Sequence, residues 1–385
     1  MLNFEFYNPT RIIFGTDTIQ RIHDFVPSDA RVLMLYGGES ARKNGTLDEV
    51  RTALGQREIQ EFGGIEPNPS YETLMKAVEL IREQKLDFLL AVGGGSVIDG
   101  TKFIAAAVNY AGDEWQILET HGAKITQALP FGSVLTLPAT GSEMNSGGVV
   151  TRKSTQTKLA FGSSHVFPQF SVLDPNKTYS LPLRQLANGV VDAFIHVMEQ
   201  YLTYSVNAQV QDRFAESLLQ TLIEIAPKVV EESADYDTRA NLMWTATMAL
   251  NGLIGAGVPQ DWSTHMIGHE LTALHNIDHA RTLAIVLPAN MQVRRAQKRD
   301  KLLQYAERVW HIVDGDEEQR IDAAIARTRV FFEDLGLPTR LADYQLGAKD
   351  IDEVIKQLEA HKLTKLGEHQ DISLDVSRRI LEASL

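Results

Sequence analysis

The chain has eleven histidines, and four of them, His265, His269, His275 and His279, fall within one stretch, DWSTHMIGHELTALHNIDHARTLAIVLP. Upstream, VVDAFIHVMEQ sets Asp192 four residues before His196. Residues four apart on a helix share a face, so Asp192 and His196 make one pair of potential ligands and His265 and His269 another. The HNID segment breaks the second helix, which lets His279 turn back toward the same point. Imidazole and carboxylate ligands suit Zn2+ or Fe2+, and three or four protein ligands with an open position make a catalytic site. A lone histidine in a helix is more often structural, and pairs four apart arise by chance, so spacing alone leaves both readings open. His275 and His165 are read as structural.

A second group with chemical potential lies in FLLAVGGGSVIDGTKFIAAAV, residues 88–108. Phe88 to Val92 reads as a buried strand, and the segment from Val97 through Ile104 to Val108 carries apolar residues at helical spacing. Gly93, Gly94 and Gly95, with Ser96 after them, are then the turn between strand and helix. Such a turn gathers backbone N–H groups at the positive end of a helix dipole, which suits a phosphate. A tight connection with no ligand is the alternative.

Elements of two kinds must position these groups. In the first half, RVLMLYGG (Arg31 to Gly38), FLLAVGGG and GSVLTLPAT (Gly132 to Thr140) read as buried strands, and SYETLMKAVELIREQ reads as a helix capped by Ser70. That alternation predicts βαβ units and a mainly parallel sheet. From about Leu181 helical patterns take over: residues 181–203, 210–230 and 239–257, Arg320 to Arg329, and Leu374 to Leu385. The boundary is placed near Ser180, giving an α/β domain over 1–180 and an all-helical domain over 181–385. A length of 385 residues agrees with two domains, because single cores stop growing at roughly 250 to 300 residues.

Composition narrows the partners. A net charge of −13 argues against nucleic acid or an anionic membrane surface. The absence of cysteine rules out disulfides, thiolate metal sites and a cysteine nucleophile. No apolar run is long enough to span a bilayer and the start lacks a signal-peptide pattern, so the cytoplasm is the expected location. The segment NFEFYNPTRIIFG alternates like an edge strand, and an edge strand invites pairing with a second copy. A homodimer is therefore expected.

Taken together, GGGSVID, LPATGSE (Leu137 to Glu143), NGVVDAFIHVMEQ and HMIGHELTALHNIDHARTLAIVLP resemble the iron-containing (group III) alcohol dehydrogenases over essentially the whole chain. Within that family the likeness is greatest to bacterial NADP-dependent butanol dehydrogenases and broad-range aldehyde reductases. The resemblance implies a dehydroquinate-synthase-like architecture, with a dinucleotide-binding α/β domain and an all-α domain on either side of a cleft. It implies one divalent metal, Fe2+ or Zn2+, on Asp192, His196, His265 and His279. It further implies cofactor contacts from Gly37, Gly38, Glu39, Ser40, Lys43, Gly93, Gly94, Gly95, Ser96, Asp99, Thr136, Thr140 and Lys158, with Asp99 near the nicotinamide end. The implied reaction is hydride transfer between NAD(P)H and short- to medium-chain aldehydes or primary alcohols. His269, four residues after a ligand, is the candidate proton relay, with a role in orienting a ligand as its rival.

One departure concerns the cofactor. NADP-using relatives commonly carry a third glycine where this chain has Glu39, and an acidic residue at the end of such a strand bonds the ribose 2′-hydroxyl and repels a 2′-phosphate. Ser40, Arg42 and Lys43 offer a phosphate a hydroxyl and two cations. If Glu39 points outward the basic group prevails, so NADP(H) is expected over NAD(H). A polyol dehydrogenase, or a lyase of the dehydroquinate synthase type, shares the architecture. The lyase would need several cations around its substrate, whereas the metal segments offer only Arg281. A cofactor-binding scaffold with a closed, structural metal is the third reading.

Overall fold

The computed structural model describes residues 1–231 and 233–385. Among the described residues eight strands form, β1 (Arg11–Phe14), β2 (Arg31–Tyr36), β3 (Glu58–Phe62), β4 (Phe88–Gly94), β5 (Phe131–Leu137), β6 (Gly147–Arg152), β7 (Thr157–Gly162) and β8 (Phe170–Leu173). Among them run α1 (Ser40–Lys43), α2 (Thr46–Leu54), α3 (Tyr71–Gln84), α4 (Gly95–Ala107) and α5 (Gln116–Glu119). Helices alone follow: α6 (Leu183–Tyr201), α7 (Gln209–Val229), α8 (Tyr236–Ala249), α9 (Ser263–His275), α10 (His279–Val293), α11 (Arg299–Arg308), α12 (Glu317–Asp334), α13 (Ala348–Ala360) and α14 (Leu374–Glu382).

Six strands form one parallel sheet in the order β1-β8-β5-β4-β2-β3, and β6 and β7 pair antiparallel. After Arg31 the run VLMLY is apolar and buried because both of its faces are covered, as parallel sheets require. Val32, Met34 and Tyr36 pack with Ile22, Leu47, Val50 and Phe170. Leu33 and Leu35 point the other way, into Leu74, Val78, Ile98 and Phe103. Ser70 caps α3 as its sequence suggests, its side chain accepting from Thr73 N at 3.3 Å.

Two expectations change. The extended N-terminal segment forms a strand only over Arg11–Phe14, at the sheet's edge; Pro9, which has no N–H to donate, precedes it. The glycines do not form a separate turn, because β4 runs through Gly94 and α4 begins at Gly95.

The chain divides into two compact units. One comprises Tyr7–Pro182 with Asp235–Thr247, the other Met1–Phe6, Leu183–Ala234 and Met248–Leu385. Two segments therefore cross a cut made near Ser180. Most of α8 packs with the sheet unit, where Met243 is buried in the α3 and α4 core and Thr247 Oγ1 donates to Glu143 Oε1. The first six residues instead join the helical unit, Leu2 N donating to Gly257 O at 2.9 Å. No helix among the described residues is long and apolar enough to cross a membrane.

Candidate functional site

The helical unit brings three of the four predicted ligands, Asp192, His265 and His279, to one point, with His196 beside Asp192. Asp192 and His196 lie on α6, His265 and His269 on α9, and His279 is the first residue of α10. Between α9 and α10, Asn276 adopts a left-handed backbone with φ 53°, ending one helix so that the next can start at His279. Ligand atoms of Asp192, His265 and His279 lie within 4.8 Å of one another. Asp192 Oδ1 is 3.7 Å from both His196 Nδ1 and His279 Nε2. The His196 ring stacks on His265 with centroids 4.7 Å apart, and His269 lies 5.2 Å from the His279 ring. Asp192, His196, His265 and His269 are each at most 5% exposed.

These residues fit a metal. No group among the described residues donates a hydrogen bond to the buried Asp192 Oδ1, and a carboxylate oxygen in that state is costly unless a cation meets it. Two ligands bonded at about 2.0–2.2 Å to a shared ion sit about 3–4 Å apart, which the two 3.7 Å separations match. His275, at the end of α9, is outside the cluster.

Glu199, which the motif reading passed over, stands behind the cluster. Its Oε2 accepts from His265 Nδ1 and from His265 N at 3.2 Å, while its Oε1 accepts from Thr264 N at 2.6 Å. Burial, and after it the charge of Asp261, pushes its carboxyl upward. Its signal in the sequence was position: three residues after His196 and seven after Asp192, it continues their face of α6.

The sheet unit holds the predicted cofactor residues. A methyl group on Gly93 would meet Val97 Cγ2 at 2.6 Å, on Gly94 Leu137 Cβ at 3.0 Å, and on Gly95 Thr140 Oγ1 at 2.3 Å. Gly93 thus lets β4 pass close to Val97 of α4, while Gly94 and Gly95 let the start of α4 seat against Leu137 of β5 and the half-buried Thr140 in the loop after it. Thr136 lies near the end of β5 and Ser96 in the first turn of α4. Asp99 spends its carboxylate internally: Oδ1 accepts from Ser142 Oγ at 2.5 Å and Oδ2 from Val149 N at 3.0 Å. It thereby ties β6 and the Thr140 loop to α4. Beside it Lys102 donates to Asn145 Oδ1 and Gly147 O, and burial draws its ammonium down to about 8. Lys158 on β7 donates to Asn68 Oδ1 at 2.8 Å. Asn68, also missed in the sequence, holds a left-handed φ of 55° within a proline-flanked loop.

At the end of β2, Gly37 and Gly38 lead into α1. Glu39, Ser40 and Lys43 are exposed. The Glu39 carboxylate turns to Arg42 Nε at 3.6 Å, and Arg42 lies over the Tyr36 ring and 3.6 Å from Glu61.

A family description, iron-containing alcohol dehydrogenase, matches residues 9–175, and its C-terminal counterpart matches residues 186–384. The chain belongs to the iron-containing alcohol dehydrogenase family. Like other members of that family it is an oxidoreductase. It is 62% identical to the NADPH-dependent aldehyde reductase YqhD of Escherichia coli K12 over the full length of both chains. A crystal structure of that E. coli protein superposes with a TM-score of 0.99, covering 100% of this chain and 99% of that one. The probable NADH-dependent butanol dehydrogenase 1 of Bacillus subtilis is 41% identical, again over the full length of both. Every motif that carried the resemblance therefore falls inside matched sequence, including the α6 and α9 segments of the metal cluster.

Proposed function

We propose that the chain reduces short- to medium-chain aldehydes to primary alcohols with NADPH, and catalyses the reverse oxidation, using one divalent ion, Fe2+ or Zn2+. The observation that carries this reading is the convergence of Asp192, His265 and His279, from three helices, on one buried point. His196, stacked on His265, completes the ligand set. The aldehyde reductase and butanol dehydrogenase relatives support the substrate class. They differ in cofactor, and NADPH is preferred on the 62% relative.

When bound, the ion polarises the carbonyl oxygen and the reduced nicotinamide supplies the hydride. The chain's residues bind, orient and manage the proton. The amides of Gly94, Gly95 and Ser96, at the start of α4, hold the cofactor diphosphate at the positive end of that helix. Gly37, Gly38, Ser40 and Lys43 take its adenosine end, and Thr136, Thr140 and Lys158 line its path. Asp99 acts at one remove by holding the Thr140 loop. An imidazole nitrogen of His269 moves the proton between the product oxygen and bulk water. The helical domain over 181–385 carries the metal and the α/β domain over 1–180 the cofactor.

In the same reading the chain is a cytoplasmic homodimer that uses neither nucleic acid nor membrane. Met1, Leu2, Phe4, Phe6 and Tyr7 are each at least 46% exposed, an apolar arm suited to a second copy; a monomeric mass in light scattering would refute the dimer.

The test is absorbance at 340 nm with butanal. Protein stripped by chelator and reloaded with Zn2+ or Fe2+ is expected to oxidise NADPH with a higher kcat/KM than NADH. Absence of turnover with either cofactor, across aldehydes and polyols, would overturn the reading.

A further inference from the structure

One face of α6 runs through the metal cluster. Asp192 and His196 stand there, and Glu199 follows one turn later, so the helix that supplies two ligands also reaches the helix that supplies a third. The reach is specific. α9 starts with Trp262 in the left-handed region at φ 61° and has no side-chain cap of its own. The Glu199 carboxylate takes over that role from α6, accepting from Thr264 N and His265 N, and it also accepts from the His265 ring at Nδ1. Both Glu199 oxygens accept a backbone N–H, which favours the ionised carboxylate against the cost of burial; a carboxylate cannot donate, so Nδ1 carries the proton and Nε2 presents its lone pair to the cluster.

A second layer holds Glu199 in place. Its backbone oxygen accepts from Asp261 N at 2.9 Å. Asp261 Oδ1 accepts from Ser263 N at 3.0 Å, and Oδ2 pairs with Lys298 Nζ at 2.9 Å. Lys298 is anchored in turn on Glu368 Oε1 at 2.8 Å and Leu202 O at 2.6 Å.

We propose that Glu199 is a positioning residue for the metal: by capping α9 and bonding His265 Nδ1 with one carboxylate, it fixes the tautomer and direction of His265 as a ligand through Nε2. The proposal rests on the metal-dependent reading above. A glutamine at this position fails by geometry. If its oxygen faces Nδ1, its amide N–H meets Thr264 N–H, and if it flips, the amide meets the ring N–H.

Zn2+ affinity, read by competition with a chromogenic chelator, tests this directly. Glu199→Gln is expected to weaken Zn2+ binding by about 10- to 100-fold, the range for lost partners of ligating histidines. The Co2+ form is expected to show a shifted d–d band. In a His265→Ala background the same substitution is expected to change affinity less than about twofold, because its target is gone. Glu199→Asp, which keeps the charge but withdraws the oxygens, serves if the glutamine variant does not fold, with the same loss expected. Unchanged affinity in the single variants, or an equal loss in both backgrounds, would overturn the positioning role while leaving the metal reading intact. Wild-type protein that fails to bind Zn2+ would overturn both.

Discussion

Glu39 stands between the end of β2 and the start of α1. At the end of a nucleotide-binding strand an acidic residue argues for NAD. Here the carboxylate turns toward Arg42, one helical turn away and 3.6 Å distant, with side chains 63% and 48% exposed. Beside a bound 2′-phosphate it would do two things: add a like charge, and occupy a cation that could bind the phosphate. Glu39→Gln removes both effects. It is expected to raise the NADPH-over-NADH ratio of kcat/KM by about threefold to tenfold, as befits one exposed charge pair at short range, with the gain shrinking at high salt. An unchanged ratio would show that Glu39 does not face the cofactor's adenosine end. At this scale the sequence displayed its chemistry well, since ligand-type residues are rare and their spacing is countable. Glu199 and Asn68 escaped because an isolated acid or amide carries no spacing of its own; what distinguishes them is a partner 66 residues away, His265, and one 90 away, Lys158.

At the level of elements, α6 and α9 were visible as helical periodicity, and so was the break before His279. Less visible was what anchors them. Lys298, Asp261 and Glu368 have side chains at most 5% exposed and form one cluster at the entrance to α9. Burial alone would lower the Lys298 pKa, but the two carboxylates hold it above the usual lysine range. Removing the cation leaves two buried carboxylates facing each other. Lys298→Met is therefore expected to destabilise the folded chain by about 3–5 kcal/mol, read as the shift of a urea unfolding transition. A loss under about 1 kcal/mol would mean that water reaches the cluster. The strands missed in the sequence have a physical reason as well. β3, EIQEF, is an edge strand with polar residues facing water, and β6 and β7 form a two-stranded sheet of their own, so none of these three shows the continuous apolar run that marks β2 and β4 as covered on both faces; β8, buried between β1 and β5, spans only four residues with Ser171 among them, too short a run to stand out.

For the molecule as a whole, periodicity identified the alternation of strands and helices and the change to helices alone, but it could not show that α8 and the first six residues trade units. That exchange depends on which apolar surfaces meet across long separations in sequence, as Met243 does with the α3 and α4 core. The metal cluster sits wholly within the helical unit and the glycine seat wholly within the sheet unit. Metal loading and nucleotide binding are therefore separable by measurement. The most direct test of the account is metal content set against turnover: chelator-stripped protein titrated with Zn2+ or Fe2+ while NADPH oxidation by butanal is followed. Activity is expected to rise linearly and saturate at one ion per chain, and Asp192→Ala to abolish both the tight ion and the turnover while still binding NADPH. Stripped protein that turns over as fast as loaded protein would contradict it.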